Sequence, residues 1–483
     1  MGSFASGAAW AGISGGISII LPFAAFIFFA RALDPADIGH FALVVVLAEL
    51  VKAFGLPGLY EAMLQRRDEA GRDQAAALGA FLLAGLLLLP VQSGLLLGIL
   101  SLTGSWPSQE QLWLLLLMGL RIPIDLALLQ PQAELARRQA YARLAQRNMA
   151  ANLGAAGLGL GLLGLGFPLF GLAVYTLGFS VTTALATIIG TGALRRPCWN
   201  PQQLAPLWRE ARAASAVRGA ATANNQLDQL LVGVLLGPVA FAHYNLGKRI
   251  ETAFLNVSNT FANTLFQPHF AAVQPEDRGS AMRKALVLVT ATVGTGTACF
   301  VATADLVVAV LLGPVWLPAV PATILLALSG HIRALAGVHT SLLSISGRNG
   351  LVFRYFMVTT AVSVVLVALA APYGATLAAV AVLARVLISG SALTAATRQD
   401  VGGATVRLHL QHALLPFLVM TGTALAARGA VAGMTWASAE VSPERALAAI
   451  AVAAMATGSL GLGLLVRQKL PARPMRAAQV PGA

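Results

Sequence analysis

Charge is scarce in this chain. Only 11% of its 483 residues are Asp, Glu, Lys or Arg, and the 19 acidic residues are outnumbered by 32 basic ones. With 57% hydrophobic residues and a mean hydropathy of +0.76, too little polar surface exists to solvate a globule of this length, so lipid must be part of the solvent. Cysteine is nearly absent: Cys198 lies in a hydrophilic break and Cys299 in an apolar run, which argues against a disulfide framework or a cysteine-based metal site. The first basic residue is Arg31, so the amino terminus lacks the charged flank of a cleaved signal peptide and reads as a retained first helix. Also missing are HExxH, GxSxG, the phosphate-cradling GxxxxGK[ST], and an acidic pair in a sizeable external loop. The expectation is a protein that is not an enzyme, holds no cofactor or metal, and hydrolyses no ATP within this polypeptide.

What is abundant is apolar sequence, in fourteen segments: about 10–31, 40–64, 76–100, 110–130, 148–166, 171–193, 217–237, 241–266, 285–312, 320–345, 352–371, 374–395, 411–430 and 446–466. Each approaches the roughly 20 residues that cross hydrocarbon as a helix. The breaks at 65–74, 131–147, 194–218, 268–284, 346–354 and 394–410, with the tail after 466, hold 23 of the 32 Lys and Arg, whereas the alternate breaks hold only Arg31, Arg428 and Arg445. Short basic loops resist translocation, so the basic set is expected in the cytoplasm with both termini. Segment 131–147 reads as such a positive loop, with a basic interfacial helix as the alternative. The net charge of +13 is spread over these loops, which points to anionic membrane lipids and away from nucleic acid.

An internal repeat orders the segments. LDPADIGHFAL at 33–43 aligns without gaps to LGPVAFAHYNL at 236–246, each at an external turn opening the second helix of a half. An even number of spans separates them, so the halves are parallel repeats about a pseudo-two-fold axis along the membrane normal. The expected fold is all-α and polytopic: a six-helix lobe at 1–200, a second at 201–400, and two further helices with a basic tail at 401–483.

Six basic residues remain, and all fall within spans: Lys52, Arg121, Lys248, Arg249, Arg333 and Arg385. An ionised group in hydrocarbon costs at least about 2.5–3.5 kcal/mol unless it meets water or a partner. Two readings follow. The six line a cavity that receives an anion, with phosphate or pyrophosphate suited to Arg forks and Lys point charges; or they are ion pairs holding a bundle together. Glu49 with Lys52, and Lys248 with Glu251, are each three residues apart and can meet on one helical face. Glu49 and Asp228 are the candidates for coupling to a proton or sodium gradient. The polar run Asn224, Asn225, Gln226, Asp228 and Gln229 reads equally as packing or as site. His40 and His243 read as interfacial hydrogen bonders, and Pro57, Pro90, Pro123 and Pro416 as kinks.

FFARALDPADIGHFALVVVLAELVKAFGLPGLYEAMLQR at 28–66, DQLLVGVLLGPVAFAHYNLGKRI at 228–250 and LLGPVWLPAVPATILLALSG at 311–330 together resemble the polysaccharide transporters, or oligosaccharide flippases, of the multidrug/oligosaccharidyl-lipid/polysaccharide flippase superfamily. Asp34 departs from the pattern, standing where that family usually has Gly, as do His40 and Ala242. The resemblance implies alternating access by two lobes that export lipid-linked oligosaccharide or polysaccharide units across the bacterial inner membrane. It implies a polyprenyl-pyrophosphate-linked glycan as cargo, and a polymerase and glycosyltransferases of the same pathway as partners. The rivals are a membrane glycosyltransferase or O-antigen-type polymerase or ligase, which long external loops would favour, and a cation-coupled drug exporter, which would prefer a carboxylate-dominated cavity.

Overall fold

A computed structural model describes residues 17–18, 20–65, 70–191, 195–401, 405–432 and 441–467. The carboxyl-terminal basic tail, Arg66, Arg67 and the start of the first expected span lie outside the described residues, which otherwise form helices and short turns with no strand. Helix is the natural outcome, because hydrocarbon offers the backbone no hydrogen-bond partner except itself.

Among the described residues, ten helices are long and apolar enough to cross a membrane. One of these, Pro201–Phe261, holds two expected spans, divided at Gly237, where φ is 79°. Ile20–Ala32, Pro35–Lys52 and Tyr141–Gly164 account for the rest, so each of the fourteen expected segments meets helix where its residues are described. The chain is a polytopic all-α membrane protein.

Three expectations need correction. The segment 40–64 is not one helix: it stops at Lys52 and resumes at Leu59–Gln65, with Leu56 at a φ of 59° next to Pro57, whose ring disfavours helix in the residue before it. Segment 131–147 is not a loop. Leu129–Arg137 and Tyr141–Gly164 are helices that meet at a bend where Gln139 has a φ of 55°, and buried Glu134 draws in Arg137 and Arg138 one turn on. Arg428, assigned to an external break, lies inside helix Leu415–Ala432 at 1% exposure, its Nη2 2.6 Å from Asp305. A buried guanidinium is tolerable there because Asp305 and the Ala302 carbonyl, 3.1 Å from Nη1, replace its water.

The chain packs into two compact units, Met1–Ala253 with Val308–Ser329 and Asn349–Ser389, and Phe254–Val307 with Gly330–Arg348 and Gly390–Ala483. In the first, Val51, Leu59, Phe81, Ile122, Leu126 and Leu207 belong to one apolar core. In the second, Phe266, Phe270, Met282, Leu286, Val338 and Leu342 do the same.

Within the first unit the two copies of the repeat touch. A Cβ on Gly39 would lie 2.0 Å from the Pro238 carbonyl oxygen, so only glycine permits the contact. Asp34 has a φ of −67°, which explains why this copy needs no glycine where Gly237 does. His40 Nε2 lies 3.0 Å from the Ser105 carbonyl oxygen, so its ring does make a hydrogen bond across the turn. At the other end the basic breaks gather. Gln74 donates to Glu134, Gln130 donates to Gln74 at 3.1 Å, and the backbone N–H of Cys198 donates to Ala75 at 3.0 Å. The first three basic breaks of the sequence therefore share one end of this unit.

Candidate functional site

The bend after Lys52 opens a cavity of about 510 Å³ in the first unit. Lys52 sits at the last turn of its helix, and Arg121 and Asp125 lie one turn apart on Arg121–Ala127, which follows the tight turn Met118–Leu120. The result is a closed ring of alternating charge. Lys52 Nζ lies 2.8 Å from Glu49 Oε1 and 2.7 Å from Asp125 Oδ2; Arg121 reaches the same two oxygens at 3.2 and 3.1 Å. Ser180 donates to the second Asp125 oxygen at 2.5 Å. The ring's side chains are 15–32% exposed, which leaves room for water beside them and would partly screen the ion pairs.

Further cations border the cavity. Arg218 lies over the Tyr60 ring at 5.2 Å and pairs with Glu61, at the rim. Arg147 is different. It is 7% exposed, both Nε and Nη2 approach the Asn148 side-chain oxygen at 3.3 and 3.1 Å, and Nη1 has no hydrogen-bond partner. Sequence reasoning missed Arg147 because it ended a supposed loop, and Asn148 and Thr183, which also line the cavity, because lone polar residues in apolar helices carry no pattern. The only signal for Arg147 was its place, one helical turn after Arg143, in a segment whose alternative reading was a basic helix.

The other expected site residues lie elsewhere. Lys248 is 4% exposed, with Asp228 at 3.0 Å and Glu251 at 2.6 Å, and Tyr244 donates to Asp228 at 2.8 Å. Arg385 donates to the Asn224 oxygen at 3.0 Å, as Thr359 and Thr360 do at 3.2 and 3.3 Å. Arg249 stacks over Phe26 at 4.3 Å and donates to Asn245 at 3.1 Å. None of these three cations lines the cavity. Arg333 is half-buried in helix Val320–Ile345 and belongs to the second unit. Of the six cations, the cavity thus brings together Lys52 and Arg121, and of the coupling candidates Glu49, whereas Asp228 sits in the drier cluster. Both three-residue spacings close as ion pairs. The polar run divides: Asn224 and Gln229 are packed, the latter accepting from Asn245 at 3.1 Å, and Asn225 faces the cavity. No group of three or more metal-ligating side chains occurs among the described residues.

Several solved structures share this arrangement of helices. The lipid II flippase MurJ, in an inward closed conformation, superposes with a TM-score of 0.72 at 12% identity, over 95% of this chain and 98% of that one. An inward-facing multidrug resistance MATE family transporter of the MOP superfamily gives 0.59 at 15% identity, over 81% and 96%. A MOP superfamily transporter from Pyrococcus furiosus, described by the reverse polarity of its binding pocket, gives 0.51 at 13%, over 82% and 94%. At such identities the likeness establishes the fold alone. No curated protein sequence matches the chain. The sequence profile of one family does match, across residues 28–321 and thus over more than half of the length, and it takes in the helices that build the charged ring, Arg147 and the buried Lys248 cluster: the chain belongs to the polysaccharide biosynthesis protein family.

Proposed function

We propose that this protein is a flippase that moves lipid-linked oligosaccharide or polysaccharide repeat units across the bacterial inner membrane by alternating access. The observation that carries the reading is the cavity: a polar, charged chamber inside a membrane-spanning unit, bordered by Lys52, Arg121, Arg147 and Arg218, in a fold shared with a lipid II flippase. A polar glycan and its phosphate linkage need such a chamber, because hydrocarbon solvates neither, whereas a polyprenyl tail stays in lipid. The pseudo-symmetric lobes at 1–200 and 201–400 rock about the bound head group, and 401–483 adds two helices and a tail. Glu49, in the ring, and Asp228, beside Lys248, are the positions where ion coupling would act.

Deleting the protein should cause lipid-linked glycan precursors to accumulate on the cytoplasmic face, and re-expression should clear them. Normal glycan export without accumulation would refute the reading. The rival drug exporter draws support from Glu49 and Asp125 in the same cavity. It predicts the opposite phenotype, unchanged glycan export with raised sensitivity to cationic drugs.

A further inference from the structure

The charges around the cavity are not equivalent. Glu49, Lys52, Arg121 and Asp125 compensate one another, two cations against two anions, and leave no net charge for a guest. Arg218 has Glu61. Arg147 has no ion-pair partner among the described residues, although it is the most buried of the cations that line the chamber. An uncompensated buried guanidinium costs stability, so a fold that retains one must gain from it elsewhere.

Its hydrogen bonds show what it lacks. A guanidinium has five N–H donors, in one fork formed by Nε and Nη2 and a second formed by Nη1 and Nη2. Asn148 Oδ1 occupies the first fork, at 3.3 and 3.1 Å, which fixes the plane of the group. The second fork is unfilled: Nη1 has no partner and is closed to water in this conformation, so an anion reaches it only when the chamber opens further. Two parallel N–H donors in that geometry match two oxygens of one tetrahedral oxyanion.

We propose that Arg147, held in orientation by Asn148, is the receptor for a single phosphate-type oxyanion of the cargo, and that the four-residue ring keeps the chamber polar and neutral without binding that anion. The assignment rests on the reading that the cavity carries an anionic cargo. It transfers the anion site away from Lys52 and Arg121, and gives Asn148 the part of a positioning residue.

The test uses the full chain in lipid nanodiscs, with farnesyl diphosphate as probe. Arg147→Met should weaken binding by about ten- to a hundredfold, the range for hydrogen bonds to a charged group. Its melting temperature without ligand should equal or exceed that of the native protein, since a buried unpaired charge is gone. A merely structural Arg147 predicts lower stability and unchanged affinity. Asn148→Ala should weaken the probe less than Arg147→Met does. The charge-neutral pair Lys52→Gln with Asp125→Asn should weaken it far less than Arg147→Met; an equal or larger loss would return the anion site to the ring and overturn the assignment. If Arg147→Met gives no folded protein, Arg147→Lys decides, because an ammonium cannot reproduce a two-point contact and native affinity would then refute the fork. Native protein that fails to bind the probe refutes the anionic-cargo reading itself, whereas native binding that ignores Arg147 refutes only this site.

Discussion

Two clusters in the first unit are assembled from the same parts and behave as different objects. Each has a Lys and a Glu three residues apart on one helix, and an Asp from another stretch of chain: Glu49, Lys52 and Asp125 in the first, Lys248, Glu251 and Asp228 in the second. In the second, side-chain exposures are 4% or less and Tyr244 closes it, so its charges see mainly each other. In the first, a helix end and a proline-adjacent bend admit water, a second cation balances the second anion, and exposures reach 32%. What separates a structural ion cluster from a chamber wall is therefore access to solvent. The Lys, Glu and Asp trio and the three-residue Lys–Glu spacing are common to both, and only the first adds a second cation, Arg121.

The contrast is sharpest where one charge is removed. Lys248→Met takes the cation from between two buried carboxylates and should cost about 3–5 kcal/mol, read as lost folded yield or a lower unfolding midpoint in detergent. Neutralising Asp228 and Glu251 as well, as Asn and Gln, should recover most of that loss; if it does not, the cluster is not held by charge balance. Arg428→Met in the second unit, which strands Asp305 at 3% exposure, should rank beside it.

A middle effect is expected in the wet ring. Asp125→Asn leaves Lys52 and Arg121 sharing Glu49, and water plus Ser180 remain to solvate the site, so about 1–2 kcal/mol of stability should go. A loss as large as that of Lys248→Met would erase the distinction between the clusters. The smallest effect belongs to the rim: Arg218→Ala removes an ion pair whose side chains are 45% and 30% exposed, and should change stability by no more than about 1 kcal/mol. Raising salt should shrink this last difference and leave that of Lys248→Met in place.

Much of the fold was legible in the chain itself. Apolar runs of span length, breaks that alternate between basic and neutral, and a repeated turn motif sufficed for a polytopic all-α bundle, because hydrocarbon permits few other answers to so hydrophobic a sequence. The pairings Glu49 with Lys52 and Lys248 with Glu251 were equally readable, since helical periodicity alone brings residues three apart together.

Tertiary structure decided the rest. Helix ends at Lys52 and at Arg137 were invisible to hydropathy, which measures composition and not backbone direction. Arg428 read as an exterior charge because its partner Asp305 is 123 residues away in sequence. Arg147 read as one of many loop arginines, and only the folding of its neighbours around it made it a buried cation with no ion-pair partner among the described residues. Sequence determines which residues must be solvated by something other than lipid. Whether that something is a partner charge, water or a guest depends on which helices meet there, and contacts between distant segments are set by packing and leave no periodic trace in the chain.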